Sequence, residues 1–165
     1  LGKLMGLPFD LPTEAQWEFA ASNRINSYRQ PFPTKTGLRK EGKTHPTFKQ
    51  EQKLLGRRGA LYPVGRFEPS PLGLYDLVGN GFEWMNDWYA PDAYQHGPSK
   101  NPAGPNTGKE KVLRGKAVGE DFSAFPHVMR YFKDPKNLLS PVDKQPFPYI
   151  WDSFRCVVNR ADRVK

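Results

Sequence analysis

Apolar residues follow a helical period in one place only. Within Leu11–Ser22 (LPTEAQWEFAAS), Ala15, Phe19 and Ser22 recur at i, i+4, i+7 spacing, and Trp17, Ala20 and Ala21 widen the stripe into one face of an amphipathic helix. The start signal is local: Thr13 is a natural N-cap, Gln16 stands three positions on as in a capping box, and Pro12 lies just before the cap. From 23 to 60 the chain is polar, basic and broken by Gly and Pro, with no sustained period of 2 or 3.6, which predicts a surface excursion long enough to be either functional or disordered. The densest apolar and aromatic run is 61–89, LYPVGRFEPSPLGLYDLVGNGFEWMNDWY, with Asn80-Gly81 as a turn signal between two apolar runs. Residues 90–110 form a second Pro/Gly/Asn-rich loop. Lys111–Gly115 (KVLRG) predicts a short strand, Met129–Phe132 a possible one, and Ser153–Val158 the last; 116–150 is otherwise irregular, and no internal repeat is visible.

Composition narrows this picture. A chain of 165 residues is one domain. Gly (15) and Pro (17) argue against long helices, yet together fall short of the roughly 25–30% of a disordered low-complexity chain. Eleven Phe, seven Tyr and four Trp can build a core with few aliphatics. The expectation is a compact, loop-rich fold in which Trp84, Trp88 and Trp151 belong to the core. The lone Cys156 excludes an internal disulfide and a thiolate zinc cluster. No run approaches the roughly 20 apolar residues of a membrane span. The chain opens at Leu1 without a visible signal peptide, which carries no weight for targeting.

The net charge is +8, from 25 Lys and Arg against 17 Asp and Glu. The positive charge is scattered, densest at Arg39-Lys40 to Lys53, at Arg57-Arg58 and at Lys109-Glu110-Lys111. Nucleic-acid binding would need basic residues on one face with aromatic platforms, and is not expected. A solvated basic surface that can face an acidic partner fits better.

Four segments, LPTEAQWEFAA (Leu11–Ala21), PLGLYDLVGNGFEWMNDWY (Pro71–Tyr89), KVLRG (Lys111–Gly115) and SFRCVV (Ser153–Val158), occur in an order that resembles the sulfatase-modifying-factor family, whose founding member is the formylglycine-generating enzyme. The match runs over roughly residues 8–158, with 23–60 and 116–150 as divergent loop regions. The resemblance implies an α+β, loop-rich fold related to the C-type lectin fold, with little regular secondary structure, as one domain over 1–165. It also implies that strands preceding the helix in relatives are missing from this chain.

The founding enzyme oxidises a peptide cysteine to formylglycine using two copper-binding cysteines shortly after the segment that KVLRG matches. Soft thiolates are what hold Cu(I). Here that stretch, Gly115–Phe125, contains no cysteine, and Glu120 and Phe125 stand near the two thiol positions. Copper and formylglycine generation are therefore not expected. Cys156 falls in the family's FRC strand, where it resembles a buried structural residue. Family sulfoxide synthases take iron from histidines of a separate domain; His45, His96 and His127 are too dispersed to form such a site.

Calcium is the cofactor the resemblance implies. Carried over, Asp76 and Glu83 would give side-chain oxygens and Gly79 and Gly81 backbone carbonyls, with Phe82 replacing a packing tryptophan; the bland alternative is a hairpin turn with both carboxylates solvated. A second family calcium site needs an upstream Asp, and none occurs from Leu11 to Tyr75.

Two functions follow. The first is a non-catalytic, protein-binding accessory module. Its basic run Arg39, Lys40, Lys43, Lys49, Lys53, Arg57 and Arg58 would meet an acidic protein partner, and resemblance to bacterial accessory proteins suggests a periplasmic or cell-envelope setting. The second is an oxidoreductase-type enzyme of the same family with an altered site built on Glu120, Asp121, His127 and Arg130, which requires those four side chains to converge.

Overall fold

A computed structural model describes residues 5–22, 32–47, 49–50, 53, 61–77, 79–116, 129–136 and 152–159. In chain order the elements are β1 (Phe9–Asp10), α1 (Glu14–Ala21), β2 (Gly81–Trp88), α2 (Ala93–His96), β3 (Lys111–Lys116), β4 (Tyr131–Lys133), β5 (Asp152–Ser153) and β6 (Val157–Val158). The main sheet has the order β4-β3-β2-β5. Its β2–β3 and β3–β4 pairs are antiparallel, and β5 joins β2 in parallel. β1 and β6 form a separate antiparallel pair, Phe9 opposite Val158.

The helix starts as its sequence dictates. Thr13 Oγ1 accepts from the Gln16 amide at 3.2 Å, and the Gln16 side chain accepts from the Thr13 amide at 2.9 Å. The buried face differs from the expected one: Glu14, Trp17 and Ala21 point inward, while Phe19 is 58% exposed. A carboxylate takes an interior position because buried cations meet it there.

β2 shows a clean period of two. Gly81, Glu83, Met85 and Asp87 are buried, whereas Phe82, Trp84 and Trp88 are half-buried and Asn86 is exposed. Trp84 and Trp88 therefore lie on the outer face of the sheet, outside the fully buried core; Trp151 lies outside the described residues. The buried core cluster is Trp17, Ala21, Leu77, Met85 and Val112, with Leu74 and Tyr89 packed against it.

Two strand expectations are corrected. Asn80 and Gly81 do turn the chain, with φ of +66° and +106°, but no hairpin results. β2 pairs with β3 after the long 89–110 connection, and the Asn80 side chain instead bonds both the amide and the carbonyl of Tyr62 (2.7 and 2.9 Å). The Ser153–Val158 run is not one strand: residues 154–156 cross from β5 in the main sheet to β6 in the small one.

The glycines of the 97–108 loop set how closely it lies on β2. A Cβ on Gly104 would stand 2.6 Å from the Trp88 carbonyl oxygen, and one on Gly108 would stand 2.8 Å from the Trp88 Cβ.

Candidate functional site

The helix, β2 and β3 enclose a polar interior organised around Arg114, whose side chain is fully buried. Its guanidinium reaches Glu14 Oε1 at 3.3 Å and Glu18 Oε2 at 2.9 Å. Glu14, 6% exposed at its side chain, also receives two hydrogen bonds from Arg130, Nε to Oε1 at 2.7 Å and Nη2 to Oε2 at 2.9 Å. Arg130 lies between the Tyr89 and Tyr94 rings, 5.1 and 5.0 Å from their centroids, and Tyr89 stacks on Phe132 at 4.1 Å. Burial alone would lower the Arg130 pKa, but the bonds and charge of Glu14 raise it above the usual arginine value. Burial raises the Tyr94 hydroxyl well above the tyrosine range, aided by its hydrogen bond to Glu18.

A second knot lies beside the first. Arg155 grips both oxygens of Glu83, Nε to Oε2 at 2.6 Å, while the Trp17 indole N–H donates to Oε2. Arg155 also reaches the Tyr75 carbonyl at 3.1 Å. Asp87, likewise buried, accepts from the Glu14 amide at 2.8 Å and the Gly104 amide at 2.7 Å.

These contacts decide what the expected site residues can do. Arg130 is bound to Glu14 and stacked between tyrosines; Glu120, Asp121 and His127 lie outside the described residues. Glu83 is 6% exposed, so it is not a solvated turn residue. Asp76, in the left-handed region at φ +62°, accepts from the Gly65 amide at 2.9 Å through Oδ2. Its Oδ1 is buried without a hydrogen-bond partner among the described residues. The donors of the 76–83 loop thus fit a hard cation unevenly: one free buried oxygen at Asp76, and a Glu83 carboxylate already neutralised by Arg155. No three His, Cys, Asp or Glu side chains converge on one point among the described residues.

Cys156 is exposed on the crossover between β5 and β6, contrary to the expected core position. β5 ends at Ser153 and the next strand, β6, is only half-buried, which leaves residue 156 at the surface. Of the basic run, Lys40, Lys43, Lys49 and Lys53 are exposed and Arg39 half-buried, while Arg57 and Arg58 lie outside the described residues. His45, beneath Lys40 and Lys43 in sequence, is 2% exposed; burial, and then the Arg39 charge, lower its pKa to about 4. Sequence patterning missed Arg114, Glu14 and Arg155 as a connected group. A run such as KVLRG marks a strand but not the partners of its arginine. A shallow pocket of about 250 Å³, lined by Ala90, Ala93, Gly97, Pro98, Gly104 and Pro105 together with Asp92 and His96, meets this network only at Gly104, whose amide bonds Asp87.

The Sulfatase-modifying factor enzyme 1-like domain model matches residues 1–159. The chain belongs to this family. It is 33% identical over 108 residues to the formylglycine-generating enzyme of Streptomyces coelicolor, covering 64% of this chain and 34% of that enzyme. It is 39% identical over 87 residues to the mouse protein called inactive C-alpha-formylglycine-generating enzyme 2, covering 49% of this chain and 27% of that protein. Among solved structures it resembles PvdO from Pseudomonas aeruginosa, with a TM-score of 0.62 and 26% identity over 94% of this chain and 54% of that one. The chain therefore spans about a third of the length of the enzyme and about half of the solved relative. Among the described residues, no helix is long and apolar enough to cross a membrane.

Proposed function

We propose that this chain is a non-catalytic member of the family that serves as a protein-binding accessory module. The observation that carries this reading is the position of its one thiol. Cys156 sits alone on an exposed crossover, and the Gly115–Phe125 stretch, where the resemblance puts two copper thiolates, has none. A single sulfur cannot supply a two-thiolate copper site. The name of the mouse relative, an inactive formylglycine-generating enzyme, supports the same direction. The fully buried Arg114 and its carboxylates bond one another, which suits a rigid scaffold with binding loops. The C-type-lectin relation and an envelope location belong to this reading as expectations of the resemblance.

Calcium is part of the proposal as a structural ion. Asp76 Oδ1, buried and unpartnered among the described residues, is the atom that would take it, with the carbonyls of Gly79 and Gly81; Glu83, held through both oxygens by Arg155, would have to release that arginine to join them.

The test is to incubate the full chain, loaded with Cu(I), in air with a cysteine-containing sulfatase-motif peptide and to read the peptide by mass spectrometry. The expected result is unchanged cysteine, under conditions in which a two-cysteine family enzyme converts it. An aldehyde product would overturn the non-catalytic reading.

A further inference from the structure

We infer that the exposed Lys35, Lys40, Lys43, Lys49 and Lys53, with Leu38, form a cationic docking surface for an acidic, leucine-bearing polypeptide segment. This deepens the binding reading above and rests on it.

The region is one of the denser basic stretches of the chain. Residues 35–53 hold six Lys and Arg against Glu41 and Glu51, a net +4. Lys35, Lys40, Lys43, Lys49 and Lys53 are all exposed, and none forms an ion pair with a described residue. Between Lys35 and Lys40 in sequence, Leu38 exposes 54% of its surface.

The segment is built to stay in place. Thr34, 3% exposed, donates through Oγ1 to the Leu38 carbonyl at 2.8 Å, and Gly37 (φ +70°) closes that turn with its amide on the Thr34 carbonyl at 3.1 Å. Thr44 Oγ1 accepts from the Lys40 amide at 2.9 Å, and the Thr44 amide donates to the Lys40 carbonyl at 2.8 Å. Gly42 (φ +74°) donates to the His45 carbonyl at 2.8 Å. The Glu68 amide ties the segment to the 61–77 run through the Lys43 carbonyl at 3.1 Å. Thr47 and Gln50 cap each other reciprocally at 2.9 and 3.3 Å. Where these hydrogen bonds hold the described backbone, binding spends less ordering entropy.

The chemistry selects the partner. Uncompensated lysines repel one another in the free protein, and an acidic segment removes that repulsion while steering association. Leu38 adds an apolar contact that a sugar-phosphate backbone would not use. Exposed aromatic platforms, which single-stranded nucleic acid would stack on, do not occur among the described residues of 32–53.

The test uses the full chain and fluorescence anisotropy with a short labelled peptide of Glu and Leu. The wild type is expected to bind it, with affinity falling about tenfold from low to physiological ionic strength. The triple reversal Lys40→Glu/Lys43→Glu/Lys49→Glu is expected to lose binding about tenfold or more, and Leu38→Asp to weaken it further. The reversal Lys100→Glu/Lys109→Glu/Lys136→Glu, equal in charge but placed on other exposed lysines, is expected to retain binding. Equal losses in the two reversals would overturn the placement, as would tighter binding to a single-stranded oligonucleotide or to anionic phosphatidylserine vesicles than to the peptide. Circular dichroism establishes that each variant folds. These outcomes are independent of the peptide-oxidation assay, so the docking surface can fail while the non-catalytic reading stands.

Discussion

Lowering the pH from 7 to 5 should weaken this fold by about 2 kcal/mol through one residue, His45. Its ring is 2% exposed and its pKa is lowered to about 4, by burial first and by the Arg39 charge second. In the unfolded chain the ring titrates near pH 6.5. Because the folded pKa is depressed, the neutral ring's contribution is fully present above pH 6.5 and is lost as the pH falls towards 4, where the unfolded chain gains a proton that the folded one cannot take. The span of about 2.5 units corresponds to about 3 kcal/mol in total, of which about 2 kcal/mol is gone by pH 5. The assay is urea unfolding at a series of pH values, on the wild type and on His45→Gln. Carboxylates titrate in both proteins, so the difference between the two curves isolates the imidazole. The variant should be less stable at pH 7, because a buried ring is lost, yet flatter between pH 7 and 5 by about 2 kcal/mol. Arg39→Gln should remove part of the slope, because one of the two causes that depress the His45 pKa is gone. Parallel curves for wild type and His45→Gln would refute the assignment.

Four further outcomes follow from contacts already described. Glu14→Gln removes the charge that Arg114 and Arg130 share, and should cost about 3 kcal/mol in urea unfolding, since it leaves buried guanidinium charge undercompensated; a loss under about 1 kcal/mol would mean the ion pairs add little. Gly104→Ala pushes a methyl group to 2.6 Å from the Trp88 carbonyl oxygen and should destabilise by about 1–3 kcal/mol, where an ordinary exposed loop glycine would tolerate alanine. Calcium should raise the melting temperature of the wild type but not of Asp76→Ala, and an EGTA-treated wild type that melts unchanged on calcium addition would remove the ion from the 76–83 loop. Cys156 should react with a disulfide reagent in the native protein nearly as fast as in urea; protection lifted only by unfolding would contradict its exposed position.

What the sequence made legible is what is encoded locally. The start of α1 is written in Thr13, Gln16 and Pro12, and both capping bonds form. KVLRG is a strand because its run is short and β-favouring, with Val112 and Leu113 buried in the sheet. The inward face of α1 was not legible, because Glu14 is buried by arginines 100 and 116 positions away, and a hydrophobicity pattern assigns a carboxylate to the outside. Phe19 went outside for the same reason: three inward positions were already taken by Glu14, Trp17 and Ala21. Asn80-Gly81 carried a correct turn signal and a wrong partner, since the Asn80 side chain satisfies the Tyr62 backbone in place of a returning strand. The Asp76 and Glu83 pair came from resemblance alone. Only the geometry separates them, one oxygen of Asp76 being unpartnered among the described residues and Glu83 held by Arg155 and Trp17.

The polar interior also bears on what the described carboxylates can do. A general base must be free to accept a proton from a substrate, at an atom within hydrogen-bond reach. Both Glu14 oxygens take bonds from arginine, both Glu83 oxygens take bonds from Arg155, and the two Asp87 oxygens take the amides of Glu14 and Gly104. Each of these carboxylates joins elements far apart in sequence: α1 to β3 and β4, β2 to the β5–β6 crossover, and β2 to the 97–108 loop. Beside the five-residue buried apolar cluster of the described residues, such cross-links supply positional specificity that burial alone would not. Freeing any one of them for catalysis would loosen the frame that holds the loops. Substitutions on the exposed lysines of 35–53 leave that frame untouched, so on the proposed binding reading a change of partner would carry no cost to the core.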